Sequence, residues 1–205
     1  MIGALALAFF LAASAAKLPP VDQCSGDPAF NAFHASLSQA VSKRDGDALL
    51  ALLAPDVTVN FGGDSGREAF ARQWDAKSKA SEIWPQLGII LALGCARVGE
   101  ARVIPSLAGQ FESEDDEDVF EKLVVISDAA ELRAGPEHDS KVVAKLAWDV
   151  VSAVEASGDV LTKVRLADGR EGWLPAEQLY SPLDYRAVVE RRGDEWRITA
   201  FVAGD

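Results

Sequence analysis

The stretch from Lys122 to Leu179 constrains the fold of this chain more than any other part of its sequence. Short valine-rich runs recur in it about every ten residues, and each run ends at residues typical of turns. The runs are Leu123–Ile126, Val142–Leu146, Val150–Val154 and Val160–Leu166. Runs of this length and spacing are typical of strands rather than helices. We therefore predict about five short strands that curl into a small barrel, because so few strands cannot bury both faces as an open sheet.

The dipeptide Asp168-Gly169 lies between two of these strand-like runs. Glycine tolerates the positive φ angle that a two-residue hairpin turn requires. This dipeptide is therefore the strongest hairpin signal in the sequence.

Several short motifs follow one another along the same stretch. Leu132-Arg133-Ala134-Gly135-Pro136 comes first, Lys163–Arg170 follows, and Gly172-Trp173-Leu174 comes last, before Leu179. In this order they resemble the bacterial SH3-like domain, in which an "LRxGP" turn opens the barrel and a "GW" strand closes it. The resemblance covers roughly 60 residues. It implies a binding module without catalysis, and some members of the family bind cell-wall peptides.

Three aromatic residues of this region are the candidate ligand contacts: Trp148, Trp173 and Tyr180. Rigid aromatic side chains provide a large contact area at a low cost in conformational entropy. The alternative is that Trp148 and Trp173 form part of the barrel core, where large apolar side chains are commonly buried.

The first sixteen residues have the pattern of a secretory signal peptide. An apolar run extends from Ile2 to Ala13, and Ala13 and Ala15 have the spacing that a signal peptidase recognises. The run is too short for a membrane-spanning helix, which needs about 20 apolar residues. We therefore predict cleavage near Ala16, no stable membrane anchor, and a periplasmic or secreted protein.

Export changes the interpretation of the two cysteines. Cys24 and Cys95 would meet an oxidising compartment, where a pair of cysteines can form a disulfide. The alternative is a buried thiol at Cys95 and an exposed thiol at Cys24. Neither cysteine forms a metal-ligand cluster with His34 or His138, so we predict no metal site and no cofactor.

The formal net charge of −12 limits the classes of partner. Nucleic-acid binding requires a basic surface, and this chain is strongly acidic. Anionic membrane surfaces are disfavoured for the same reason.

Residues 17–110 have a mixed pattern of helices and strands. Asp27 and Pro28 predict the start of a first helix, Asp47 the cap of a second, and Ser65 the cap of a third. Apolar and polar residues alternate from Val57 to Phe61, which predicts a half-buried strand.

This order of elements, with the Gly62-Gly63 turn that follows the strand, resembles the opening of the nuclear-transport-factor-2-like (cystatin-like) fold. That resemblance implies a cone-shaped pocket, which in some members performs catalysis with an aspartate or a histidine. Asp56 and His34 are the residues of those types in this region. The sequence pairs neither with a second acid–base group, so we predict no catalytic residues.

Two further segments complete the chain. Seven acidic residues crowd the segment 111–121, which predicts a solvated linker. Residues 183–205 contain two strand-like runs that predict a hairpin. The end of this hairpin, Glu195–Phe201, resembles the closing strand of the nuclear-transport-factor-2-like fold, so we predict that the hairpin returns to the N-terminal region. The alternative is that it packs on the barrel.

The sequence as a whole predicts an α+β protein: a signal peptide (1–16), an N-terminal α+β domain (17–110), an SH3-like barrel (122–182) and the hairpin. We expect an exported, non-catalytic protein that binds a peptide or a peptidoglycan fragment. The alternatives are an enzyme that uses the N-terminal pocket and an assembly protein whose acidic surface meets a basic partner.

Overall fold

The computed structural model describes residues 16–110, 121–157 and 160–204. These residues form two compact units. We call residues 18–110 and 181–204 the helical unit, and residues 16–17 and 121–180 the barrel unit. The predicted signal peptide, apart from Ala16, and the acidic segment up to Phe120 lie outside the described residues. The combination of four helices with two sheets confirms the predicted α+β class.

The elements have the following bounds in chain order. The helices are α1 (Pro28–Lys43), α2 (Gly46–Leu52), α3 (Arg67–Trp74) and α4 (Ile83–Ala92). The strands are β1 (Leu53–Thr58), β2 (Ala96–Val98), β3 (Ala101–Ile104), β4 (Lys122–Val125), β5 (Ala130–Arg133), β6 (Val142–Leu146), β7 (Val150–Ser157), β8 (Leu161–Arg165), β9 (Glu171–Pro175), β10 (Leu179–Tyr180), β11 (Arg186–Arg192) and β12 (Glu195–Val202). Among the described residues, none of the helices has the length and apolar character of a membrane span.

Of the three predicted helix caps, the structure confirms the first and contradicts the other two. Asp27 caps α1 as predicted, because its carboxylate accepts the N–H groups of the first turn. The cap of α2 is Asp45, whose side chain accepts the Ala48 N–H at 3.0 Å. Asp47 instead lies inside the first turn and pairs with a lysine. Gly66 precedes α3, so Ser65 is not its cap and forms an isolated bridge to β1.

The sheet of the helical unit has the strand order β1-β12-β11-β3-β2. Strands β11 and β12 form the C-terminal hairpin and lie at the centre, with β1 parallel to β12 and β3 antiparallel to β11. Side chains from one face of this hairpin enter the core beneath α1 and α4. They are Ala187, Val189, Trp196, Ile198 and Phe201.

The predicted strand from Val57 to Phe61 is displaced toward the N-terminus. Strand β1 begins at Leu53 and ends at Thr58, and it includes Pro55. Phe61 lies beyond its end and is 56% exposed. Proline is tolerated here because β1 is an edge strand, where one row of N–H groups has no partner strand.

The predicted disulfide between Cys24 and Cys95 is confirmed. The two Cα atoms are 5.9 Å apart, and 71 positions separate the residues in sequence. Both sulfur-bearing side chains are buried. The bridge joins the segment before α1 to the start of β2, so it closes a loop that contains all four helices.

The barrel unit is one antiparallel sheet of seven strands in the order β10-β4-β7-β8-β9-β5-β6. The sequence predicted about five strands, because β5 contains no valine and β10 has only two residues. Its inner side chains form a separate apolar core: Val125, Ala130, Leu132, Leu146, Val151, Val164, Leu166 and Leu174. The predicted turn at Asp168-Gly169 joins β8 to β9, with Gly169 at a φ of +85°.

Gly172, the glycine of the "GW" motif, lies where β9 pairs with β5. A Cβ atom at this position would be 2.5 Å from the Arg133 carbonyl oxygen and 2.7 Å from Leu132 Cγ. We therefore expect Gly172→Ala to destabilise the barrel unit by about 1–3 kcal/mol, the usual cost of overpacking. Urea unfolding followed by circular dichroism measures this change.

Gly135→Ala is the matched control for this prediction. The atom that its new methyl group would meet is the carboxylate end of Glu137, which is free to move aside. Equal stability of both variants would contradict a packing role for Gly172.

Candidate functional site

Trp173 lies on the outer face of the barrel sheet. Side chains alternate along a strand, and its neighbour Leu174 is fully buried in the barrel core. Trp173 is half-buried and is not part of that core. It pairs with Arg133 of β5 on one side and with Lys163 of β8 on the other, so these three side chains share a face.

The exposed side of Trp173 forms a wall of a cavity of about 420 Å³. The cavity combines apolar surface with side chains of both charges. Its principal lining residues are Glu131, Arg133, Pro136, His138, Trp173 and Gln178. A volume of this size is typical of pockets that take a small ligand or a few residues of a peptide.

Hydrogen bonds hold the charged wall of this cavity in place. The Arg133 guanidinium donates to the Glu131 carboxylate and, at 2.9 Å, to the Ser140 carbonyl oxygen. The Ser140 hydroxyl in turn donates to the Gly135 carbonyl oxygen at 2.8 Å. These bonds tie β5 to the turn that follows it. The "LRxGP" motif therefore supplies both the turn and an oriented cation.

A second charged group lies on the same face, beside Trp173. The Glu171 carboxylate accepts a hydrogen bond from Lys163 at 2.8 Å and another from Arg165 at 2.9 Å. These two bonds, the one from Lys163 first, lower the pKa of Glu171 below its usual value. Glu171 therefore stays ionised and neutralises part of the positive charge next to the tryptophan.

The other two predicted contacts do not line this cavity. The Trp148 indole N–H donates to the Asp128 carboxylate at 2.7 Å, and its backbone has a φ of +60°. Like Trp173, it is half-buried and outside the barrel core. Tyr180 lies on β10 and is 3% exposed, so its ring offers almost no surface to a ligand.

The residues considered for catalysis lie in separate places in the helical unit. His34 is half-buried on α1, with its ring centroid 6.2 Å from that of Phe30. Asp56 is an exposed residue of the edge strand β1. Among the described residues, no hydrogen bond or ion pair joins His34 to Asp56, so these two do not form an acid–base pair with each other.

Sequence reasoning identified Trp173 but missed its polar neighbours. Glu131, Arg133 and His138 belong to β5 and the following turn, far from Trp173 in sequence. Arg133 was part of a recognised motif, which we interpreted as a turn. The pairing of β5 with β9 is what brings it to the tryptophan.

Comparison with known proteins supports the interpretation of the barrel unit. Residues 127–180 match the family model of the bacterial SH3 domain. A search of curated proteins found no significant match. A solved chain whose name starts with "Rd1NTF2" is 12% identical in sequence to this protein. The match covers 85% of this chain and 96% of that chain. Its TM-score of 0.30 is too low to establish a shared fold. The predicted resemblance to the bacterial SH3 domain is therefore confirmed for the segment that contains the Trp173 cavity.

Proposed function

We propose that this chain is an exported, non-catalytic binding protein whose barrel unit holds a peptide or a cell-wall peptide fragment in the Trp173 cavity. The observation that carries this proposal is the tryptophan itself. It stands on the outer face of the sheet, beside an oriented arginine, in a cavity of about 420 Å³. Aromatic and arginine side chains in such pockets commonly supply most of the binding energy.

The charges around the cavity favour a ligand with peptide chemistry. Arg133 and Glu131 are paired with each other, so this wall offers a peptide both guanidinium donors and a carboxylate acceptor without a net charge. Trp173 and Pro136 add apolar surface for a side chain. A short peptide with a free amino or carboxyl group matches this combination, and the stem peptides of peptidoglycan are of that class.

Two observations support export. The alternation of small residues after the apolar N-terminal run is typical of a signal-peptidase site. The disulfide between Cys24 and Cys95 is of the kind that persists in oxidising compartments. Mass determination of the protein from the periplasm or medium tests this part: a mature form beginning near Ala16 is expected, and an unprocessed chain would contradict it.

Binding can be measured with purified peptidoglycan in a pull-down and with soluble stem peptides by calorimetry. We expect Trp173→Ala to weaken binding by at least about 2 kcal/mol, a roughly 30-fold loss of affinity typical of a central aromatic contact. The loss arises because the truncation removes the indole, the largest apolar side chain among the described residues that line the cavity.

Trp148→Ala is the matched control, because it removes an indole of the same unit that does not line the cavity. Circular dichroism of both variants shows whether the barrel remains folded. An equal loss of affinity in the two variants, or no retention of the wild-type protein by any peptide ligand, would contradict the proposal.

A further inference from the structure

Arg102 of β3 is a buried cation that forms no ion pair with the described part of the chain. It is 7% exposed and pairs in register with Val189, which is fully buried, so its side chain lies on the core face of the sheet. Within the described residues its hydrogen bonds go only to backbone: Nη1 donates to the carbonyl oxygens of Glu100 at 3.2 Å and Ala101 at 3.1 Å. Burying a charge without an opposite charge is costly.

Two N–H donors at this place have no acceptor among the residues that the structure describes. They are Arg102 Nε and the indole Nε1 of Trp196, both buried. The guanidinium carbon of Arg102 lies 4.9 Å from the centroid of the Trp196 ring, and that of Arg191 lies 5.0 Å from it, so both arginines stack on this indole. We call Arg102 and Trp196 the stacked pair. Buried donors in folded proteins nearly always have a partner, so these two donors are exceptions.

The stacked pair lines a cavity of about 340 Å³ in the helical unit. The other two arginines of this cavity already have carboxylate partners. Arg191 pairs with Asp27 at 3.3 Å, and Arg192 pairs with Glu190 at 3.0 Å. Arg102 is thus the arginine of the cavity for which the described residues show no ion pair, although Glu100 also lines the cavity.

Asp27 cannot supply the missing acceptor without losing other bonds. One of its carboxylate oxygens accepts the Ala29 and Phe30 N–H groups at the start of α1, and the other accepts Arg191. These hydrogen bonds, the one from Phe30 first, hold the pKa of Asp27 below its usual value. The helix start and the salt bridge therefore occupy this carboxylate.

We propose that this cavity binds a carboxylate, with the Arg102–Trp196 pair as its recognition element. An anion with two oxygens matches the planar donors of a guanidinium. The acidic side chains around the cavity, Asp27, Glu100 and Glu190, favour a singly charged ligand over a phosphate dianion, because each added negative charge meets their repulsion. The carboxylate can come from a small free acid or from the C-terminus of a short peptide.

The test titrates the full chain with four probes and follows the indole N–H signal of Trp196 by nuclear magnetic resonance. Propionate represents a free acid, and N-acetyl-alanine represents a peptide C-terminus. Propionamide and N-acetyl-alaninamide are their neutral counterparts. We expect one or both acids to shift the Trp196 signal saturably and neither amide to do so. Saturation by N-acetyl-alanine alone identifies a peptide end, and saturation by propionate also identifies a free acid.

Arg102→Met tests the same site by removing the charge and keeping an apolar stem of similar length. We expect at least a tenfold loss of affinity for the acid, whereas Arg72→Met, at an exposed position on α3 outside this cavity, should leave affinity unchanged. Absence of a saturable shift with both acids in the wild-type protein overturns the proposal, even if Arg102→Met does not fold. So does equal binding of acids and amides.

Discussion

Deletion of residues 183–205 should unfold the helical unit and leave the barrel unit folded. The deletion removes β11 and β12, which lie between β1 and β3, and with them five buried side chains of the core. Large apolar side chains each contribute about 1.5–3 kcal/mol when buried. A domain's entire net stability is about 5–15 kcal/mol, so the remaining helices cannot compensate for this loss.

The barrel unit provides an internal reference in this experiment. Its seven strands all precede residue 183, so its amide signals in a nuclear magnetic resonance spectrum should persist after the deletion. Arg192→Ala is the control in the same hairpin, since it removes only an exposed ion pair, which contributes at most about 1 kcal/mol. Retention of the helical unit's unfolding midpoint after the deletion would show that the hairpin is dispensable to that core.

Replacement of both cysteines, Cys24→Ser with Cys95→Ser, should lower the free energy of unfolding of the helical unit by about 4 kcal/mol. The bridge closes a loop of 71 positions, and a cross-link of that span restricts the unfolded chain by about this amount in the loop-entropy description. Denaturant unfolding of the wild-type and double-serine proteins measures the difference.

The two cysteines of the chain both lie in the helical unit, so the unfolding transition of the barrel unit should not move. Reduction of the wild-type protein with a thiol should reproduce the effect of the double substitution. A loss below about 1 kcal/mol would mean that the bridge stabilises little, as occurs when the unfolded state keeps residual structure.

Local patterns predicted the elements of this protein well where one short segment decides the outcome. Asp27 and Pro28 mark the start of α1 because a cap acts through bonds to the next three residues. The same reasoning predicted Asp47 as the cap of α2, whereas the cap is Asp45, because an aspartate stands on each side of the first residue of that helix. Which of the two aspartates becomes the cap depends on the contacts that the rest of the structure makes with each side chain.

The residues of the candidate site were likewise predictable from the sequence only in part. Trp173 follows from its motif, and the buried Leu174 beside it follows from the alternation of a strand. The charged wall of the cavity does not follow from local sequence, because Arg133 is brought to Trp173 only by the pairing of β5 with β9. Tyr180 shows the converse: it is an aromatic residue at the end of the motif, and its place on β10 buries it.

By itself, the amino-acid sequence determined the period of the barrel strands, the hairpin turn at Asp168-Gly169 and the resemblance to the bacterial SH3 domain. It also predicted a disulfide between Cys24 and Cys95. The tertiary structure alone decided that the C-terminal hairpin occupies the centre of the five-stranded sheet, and that Arg102 faces the core beside Trp196. The physical reason is that periodicity records which face of an element is apolar, whereas the identity of the partner that covers this face depends on contacts between residues distant in sequence.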